Sequence, residues 1–402
     1  MPSSERGILV INCGSSSLKF SVLPQDKDTP LFYGIAQKLG LSDAEITFHD
    51  EQGQTCCYPL KRSSHQCALE TLFAYMRQHS MLGSLCAIGH RVAHGGNLFS
   101  HSVLINDEVI AQIRGLCALA PLHNPANLIG IRSALELLPD IPQVAVFDTA
   151  FHQTIPAKAY TYAIPLEYRE LYQVRRYGFH GSSHRYITAE TIHRLGLNPA
   201  QCGIVIAHLG NGSSVCAVKN AQSVDTSMGM TPLEGLVMGT RCGDLDCGVL
   251  AYLARCTKQS IESLYELMNN QSGLLGLSGI SSDFRALQSE RLSGNPQATL
   301  AIDVMIHRLA RHIGGHMASL EHLDALVFTG GIGENSPLVR ELTVKSLAVF
   351  GFRLDERQNN AMCCGESGII SQPNTPVVMV IPTNEEKMIA KDAADIAQGI
   401  AL

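Results

Sequence analysis

The chain has 402 residues, 45% of them hydrophobic, with 36 Asp and Glu against 30 Lys and Arg for a formal net charge of −6. A chain of that size buries a large core and divides into two domains, while its acidic balance excludes a general nucleic-acid binder, which carries a basic excess. Its 13 cysteines include the adjacent pairs Cys56-Cys57 and Cys363-Cys364 but no CxxC spacing, so they read as reduced, core-filling thiols of a cytoplasmic protein and not as zinc ligands.

Met1-Pro2-Ser3-Ser4-Glu5-Arg6 leads straight into a short apolar strand, with neither a signal-peptide core nor a cleavage site. No uncharged apolar run reaches the roughly 20 residues that span a bilayer, so a soluble protein with no membrane partner is expected. Residues 8–22 read as a buried strand, a turn of Gly and Ser, and a second strand with an alternating face. Residues 204–218 spell the same device almost half the chain later, with Gly210 where the first copy has Gly14. Small residues let backbone N–H groups crowd around an anion, and serine hydroxyls add donors. Two such hairpins facing each other would grip a polyphosphate, which points to a nucleotide-using enzyme built by duplication. Either turn alone could equally be an ordinary hairpin.

Between the hairpins the spacing predicts a helix over 68–79, a strand at 85–89 running into His90–Gly96, and a helix over 126–138 capped by Asn124 with Pro125 in its first turn. A short strand at 143–147 ends at Asp148, and 149–165 reads as a connection. After the second hairpin come a Gly-rich segment at 227–248 and helices at 248–256, 261–269 and 296–320. A buried strand at 326–329 ends in Gly330-Gly331-Ile332-Gly333-Glu334-Asn335; a last strand at 377–381 and a helix over 385–396 close the chain. Strands and helices mingle throughout, so the fold class is α/β.

The chemistry-bearing residues cluster in the glycine-rich turns. Asn12–Lys19 has an anion-friendly turn, an amide suited to a metal-bound water and a lysine beyond it, but lacks the ending of a Walker A loop. Arg91 and Arg241 each offer a planar fork matching a carboxylate or phosphate, the alternative being a surface ion pair. Asp148 stands at a strand end, where open α/β sheets place ligands, although a helix cap is also open to it. His123, His180, His184 and His208 lie in or beside Gly-rich turns at spacings that fit no zinc site, which favours hydrogen bonding to a transferring phosphoryl group. Gly330–Asn335 could approach a flat base closely.

These residues resemble one family over essentially the whole length. N-C-G-S-S-S-L-K at 12–19, H-R-V-A-H-G-G at 90–96, A-P-L-H-N-P at 120–125, F-D-T-A-F-H at 147–152, Y-G-F-H-G-S-S-H at 177–184, H-L-G-N-G-S-S at 208–214, G-L-V-M-G-T-R-C-G-D at 235–244, T-G-G-I-G-E-N at 329–335 and P-T-N-E-E at 382–386 are similar to the acetate and propionate kinases of the sugar-kinase, Hsp70 and actin superfamily. The resemblance implies two duplicated RNase H-like domains around a central nucleotide cleft. The first would span 1–150 with 386–402 packing back on it; the second, 151–385, would bind nucleotide. It implies Asp148, Arg91, His180 and Arg241 as catalytic residues, with His123 also in the active site. Arg91, Ala93, Leu122, Phe179 and Pro232 would hold the acid. Ser15, Ser17, Lys19, His208, Leu209, Gly210, Asn211 and Gly212 would meet the phosphates. Asp283, Phe284, Arg285, Gly331, Ile332, Gly333, Glu334 and Asn335 would line the adenosine pocket. Asn12 and Glu385 would hold Mg²⁺, in part through water. The implied partners are ATP or ADP, propionate or propionyl phosphate, and acetate, in a cytoplasmic homodimer.

A substrate carboxylate is already ionised at neutral pH, so its attack on the γ-phosphorus needs no general base. Asp148 is therefore expected to orient and to supply charge. Family members that use acetate typically carry Val where this chain has Ala93, which removes two methyl-sized carbons. Propionate has one more carbon than acetate, and burying a CH₂ contributes about 0.8 kcal/mol, or roughly fourfold. The expectation is propionate preference with weaker acetate activity, as in the branch that serves anaerobic threonine breakdown. Acetate kinase is the alternative within the family. An Hsp70- or actin-like ATPase is the alternative in another class, and a sugar kinase would need a base and a polar pocket.

Overall fold

The computed structural model describes residues 6–25 and 29–400. Met1–Glu5, most of the stretch read above as leading into the first strand, lies outside them. The chain forms two compact units: the described parts of Met1–Phe151 with Asn384–Leu402, and His152–Thr383.

Unit 1 is built on eight strands: β1 (Gly7–Cys13), β2 (Leu18–Pro24), β3 (Phe32–Gln37), β4 (Glu45–Asp50), β5 (Thr55–Pro59), β6 (Leu85–Val92), β7 (Val103–Leu104) and β8 (Gln143–Phe147). They lie in the order β5-β4-β3-β2-β1-β6-β8-β7. β1 and β2 pair antiparallel, β1 and β6 parallel, and β6 and β8 parallel. β1 is buried on both faces, as an interior parallel strand should be. Leu9, Ile11 and Cys13 enter one core with Leu69, Leu72 and Phe73 of the helix His65–Gln78. Ile8 and Val10 enter another with Ile389 and Ala393 of the helix Glu385–Ala397. A Cβ on Gly130 would lie 2.3 Å from Cys13 Sγ, so glycine is what lets the helix Asn124–Leu137 lie against β1.

Unit 2 repeats the plan with β9 (Gly203–Leu209), β10 (Ser213–Lys219), β11 (Gln222–Thr226), β12 (Ala325–Thr329), β13 (Gly368–Ile369) and β14 (Val377–Val380), ordered β11-β10-β9-β12-β14-β13. β9–β10 and β10–β11 are antiparallel, while β9–β12 and β12–β14 are parallel. The series β11-β10-β9-β12-β14 thus matches β3-β2-β1-β6-β8 in order and direction. The duplication read from two hairpins extends to whole RNase H-like sheets. Val205, Ala207 and Leu209 of β9 pack on Ile302, Met305, Ile306 and Leu309 of the helix Pro296–Met317, whose apolar residues recur with helical period.

One local expectation fails. Asn124 does not cap the helix beginning there; His123 takes the N-cap position and makes no side-chain cap bond. The Asn124 amide is used elsewhere: Oδ1 accepts the His94 N–H at 3.1 Å and Nδ2 donates to the His94 carbonyl at 3.0 Å. Tertiary pairing with the 93–96 turn outcompetes the local cap.

Candidate active site

In unit 1 the parallel neighbours β1, β6 and β8 end side by side, and their C-terminal ends carry the chemistry. Ile11 of β1 is in register with His90 of β6, and Arg91 with Val146 of β8. Asn12, Arg91 and Asp148 therefore emerge together, where ligands of such sheets bind. Arg91 grips Asp148 as a fork, Nε donating to Oδ1 at 2.9 Å and Nη2 to Oδ2 at 2.6 Å. The Asp148 side chain is 3% exposed and that of Arg91 26%. Asp148 drives the guanidinium above its ordinary value, Glu385 adding to the effect. Burial pushes the Asp148 carboxyl up, while Arg91 and, more weakly, His123 pull it back. A short bidentate fork is an ionic pair. It fixes the guanidinium plane and leaves Nη1 for an anion.

Three side chains that the sequence reading passed over hold these strand ends. Asn127 accepts the Ala93 N–H through Oδ1 at 3.1 Å and donates through Nδ2 to the Cys13 carbonyl at 2.8 Å, tying β6 to β1. Thr149 Oγ1 accepts the Gly95 N–H at 3.0 Å, and His65 Nε2 lies 2.7 Å from the Gly14 carbonyl oxygen. Ser15 is exposed, and Lys19 is exposed on β2 opposite Asn12. Ala93 is half-buried, whereas Leu122 is 51% exposed. Glu385 opens the final helix, whose cap is Asn384.

Magnesium takes oxygen donors and, beside nucleotide phosphates, uses one or two protein ligands with waters completing its shell. Glu385 offers a carboxylate whose charge bears on both Arg91 and Asp148, and Asn12 offers an amide oxygen at the same strand ends. That donor set fits the ion.

In unit 2 the β9–β10 turn is closed by Gly210 N–H to the Gly212 carbonyl at 3.1 Å and by Ser213 Oγ at 3.2 Å. His180 stands before the helix Gly181–Leu195 with φ of 58°, left-handed for a non-glycine residue, which costs on the order of 1–3 kcal/mol and is concentrated at functional sites. Its ring stacks on His208 with centroids 4.4 Å apart. Ser214 Oγ lies 3.0 Å from His180 Nδ1 and 2.8 Å from His184 Nε2, while Ser183 Oγ lies 2.8 Å from His208 Nδ1 and 2.7 Å from Thr383 Oγ1. Burial holds His184 well below the ordinary histidine range. The Cβ position of Gly212 is 3.4 Å from His180 Nε2 and 3.5 Å from Arg241 Nη1, so the turn, the imidazole and the guanidinium converge. Arg241 Nη1 also donates to the Pro232 carbonyl at 3.2 Å, and Gly239 N–H donates to the Asn211 carbonyl at 3.0 Å. Phe179 packs with Met228 and Met238; of the two methionines, Met238 falls inside the 235–244 motif and Met228 outside every motif. The Phe179 carbonyl is bound by His152 Nε2 at 2.9 Å.

The residues assigned to adenosine differ in burial. Phe284 is buried in the unit 2 core at the first position of its helix. Asp283 caps that helix and pairs with Arg285, 91% exposed, at 2.8 Å. Gly330, at φ of 76°, would put a Cβ 2.7 Å from the Leu209 carbonyl oxygen, so only glycine joins β12 to the short helix Gly330–Asn335 there. Ile332 packs against the core, and Glu334 Oε1 accepts from the N–H groups of Gly330 and Thr383 at 2.8 and 3.0 Å. Those two shape the loop from within. Gly331 and Asn335 are exposed, whereas Gly333 is buried.

The acetokinase family matches residues 7–391. The chain belongs to this family. A propionate kinase of Yersinia enterocolitica is 52% identical over 387 residues, covering 96% of this chain and 94% of that protein. The crystal structure of a propionate kinase from Francisella tularensis superposes with a TM-score of 0.93 at 41% identity, over 98% of this chain and 100% of that one. That of Porphyromonas gingivalis acetate kinase gives 0.93 at 42% identity, over 97% and 99%. Acetokinase membership makes the chain a carboxylate kinase.

Proposed function

We propose that this acetokinase is a propionate kinase, converting ATP and propionate reversibly to ADP and propionyl phosphate, with weaker activity on acetate. The observation that carries the reading is the Arg91–Asp148 fork at the strand ends beside Ala93. It is a fixed cation for an anionic acid, next to the smallest side chain that can make room for an extra carbon. Arg91 receives the propionate carboxylate through Nη1. Arg241 and His180 meet the transferring phosphoryl group beside the 210–212 turn. These donors neutralise charge between two anions, which is what such a transfer demands. Asp148 keeps Arg91 in plane and takes no proton. Ala93 and Leu122 of unit 1 and Phe179 and Pro232 of unit 2 contribute apolar side chains; Ser15, Ser17, Lys19, His208, Leu209, Gly210, Asn211 and Gly212 serve the phosphates; and Asp283, Phe284, Arg285, Gly331, Ile332, Gly333, Glu334 and Asn335 serve the adenosine. Mg²⁺ held by Asn12 and Glu385 would supply charge neutralisation at the phosphates. Resemblance supports a cytoplasmic homodimer acting in threonine breakdown.

The test traps acyl phosphate as hydroxamate while acetate, propionate and butyrate are compared by kcat/KM. Propionate should lead acetate by at least severalfold. Equal or inverted values make the chain an acetate kinase, and ATP turnover indifferent to added acid makes it an ATPase of another kind.

A further inference from the structure

Unit 2 contains a second polar cavity that no residue assigned to propionate or nucleotide lines. It has a volume of about 340 Å³ and lies against one stripe of the helix Pro296–Met317, formed by Arg308, Arg311, His312, Gly315 and His316. Residues three and four apart share a helix face, and the stripe grades from exposed Arg311 through half-buried Arg308 to His316, 6% exposed.

Three carboxylates also face this cavity, but every one of their oxygens already has a donor. Glu234 accepts from Arg176 and from the Tyr162 hydroxyl. Asp244 accepts the Gly235 N–H at 2.8 Å and His312 Nε2 at 3.0 Å. Asp225 accepts the Thr226 N–H at 2.9 Å and the Ser319 hydroxyl at 3.0 Å. Arg176 is spent on Glu234 and on the carbonyls of Thr226, Ser227 and Met228. Two kinds of group are left over among the described residues. Arg308 and Arg311 line the cavity with neither an ion pair nor a hydrogen bond. His316 donates through Nδ1 to the His312 carbonyl at 2.7 Å, and burial holds it below the ordinary histidine range. Its Nε2 is thus a lone-pair acceptor, and it is buried with no partner.

Surplus guanidinium donors at the open end and one orphan acceptor inside ask for a ligand that has negative oxygens and a single O–H. We propose that this cavity is a second anion site, separate from catalysis, which takes a monoprotonated phosphate group between Arg308, Arg311 and His316. The guanidinium groups receive the charged oxygens, and the P–OH donates to His316 Nε2. Arg311 and His316 are separated by about 7.5 Å of helix rise, a gap that an arginine side chain and a phosphate together bridge. Because the three arginines and three carboxylates cancel in formal charge, recognition rests on matched hydrogen bonds and not on bulk attraction. The phosphate could be free or carried by a small phosphomonoester.

The experiment titrates inorganic phosphate calorimetrically into the full-length enzyme saturated with a non-hydrolysable ATP analogue and Mg²⁺, which blocks the nucleotide phosphate positions. One phosphate per chain should bind. Arg311→Gln, at an exposed position that tolerates the change, should weaken it at least tenfold, as should Arg308→Gln; Arg311→Lys should retain most of it. Propionate kinetics should be unchanged in Arg311→Gln. Glycerol phosphate run in parallel identifies the source: tighter binding than phosphate assigns a phosphomonoester, weaker binding assigns the free ion. Absence of binding once the ATP analogue is present, or identical binding by wild type and Arg311→Gln, overturns the proposal.

Discussion

Asp148→Asn separates an orienting carboxylate from a catalytic base. Asparagine is nearly isosteric, so the buried volume is kept. Its Oδ1 can still accept one Arg91 N–H, but its NH₂ now confronts the other donor, in a site where the wild-type pair is held at 2.9 and 2.6 Å. Losing one charge-assisted hydrogen bond costs about 1.5–3 kcal/mol, and setting donor against donor in a buried place adds about 1–3 kcal/mol. Part of this falls on folding and lowers the melting temperature. If about 3 kcal/mol falls on the transition state, kcat/KM for propionate drops by about 100-fold. Because no proton is taken, the pH–rate profile should keep its shape between pH 6 and 8, about neutrality, where a substrate carboxylate is ionised. Arg91→Lys combined with Asp148→Asn should cost much less than the sum of the two single losses, since each breaks the same fork. Near-normal kinetics in Asp148→Asn, or strictly additive losses in the cycle, would refute the reasoning.

Ala93→Val should lower the propionate-to-acetate ratio of kcat/KM, by about fourfold if one CH₂ of space is lost; an unchanged ratio removes Ala93 as a determinant. His90 and His152 are each buried and pushed down to about 4 by that burial. The unfolded chain therefore takes up their protons first as pH falls below about 6.5, and stability present above that value is lost progressively towards pH 4, by about 3 kcal/mol per group. Urea unfolding across pH 4 to 7, the span of that titration, checks this, and His90→Asn should flatten the slope; parallel curves for the variant and wild type would contradict it.

What the sequence made legible followed from patterns that physics keeps local. β1 and β9 read as buried strands because their apolar runs end in Gly and Ser, and the helix Pro296–Met317 because its apolar residues recur on one stripe. β3, β4 and β5 were passed over although Glu45–Asp50 alternates, since Gly34 and the polar partners blur the period. Asn124 misled because its amide answers to His94, a partner distant in sequence. The Arg91–Asp148 fork spans 57 positions and exists only because β6 and β8 are parallel neighbours. Ser214 falls inside the 208–214 motif, but its place between His180 and His184 is set by residues 34 and 30 positions away.

Direct attack by the acid on phosphorus is best tested with propionate labelled with ¹⁸O in its carboxylate, ATP unlabelled, and ³¹P NMR of the propionyl phosphate formed. If Arg91 presents the carboxylate to the terminal phosphorus, the C–O–P bridge carries ¹⁸O and the phosphorus signal shows the isotope shift of one labelled oxygen. An unshifted signal would mean that the bridging oxygen came from ATP, and transfer to the bound carboxylate would be contradicted.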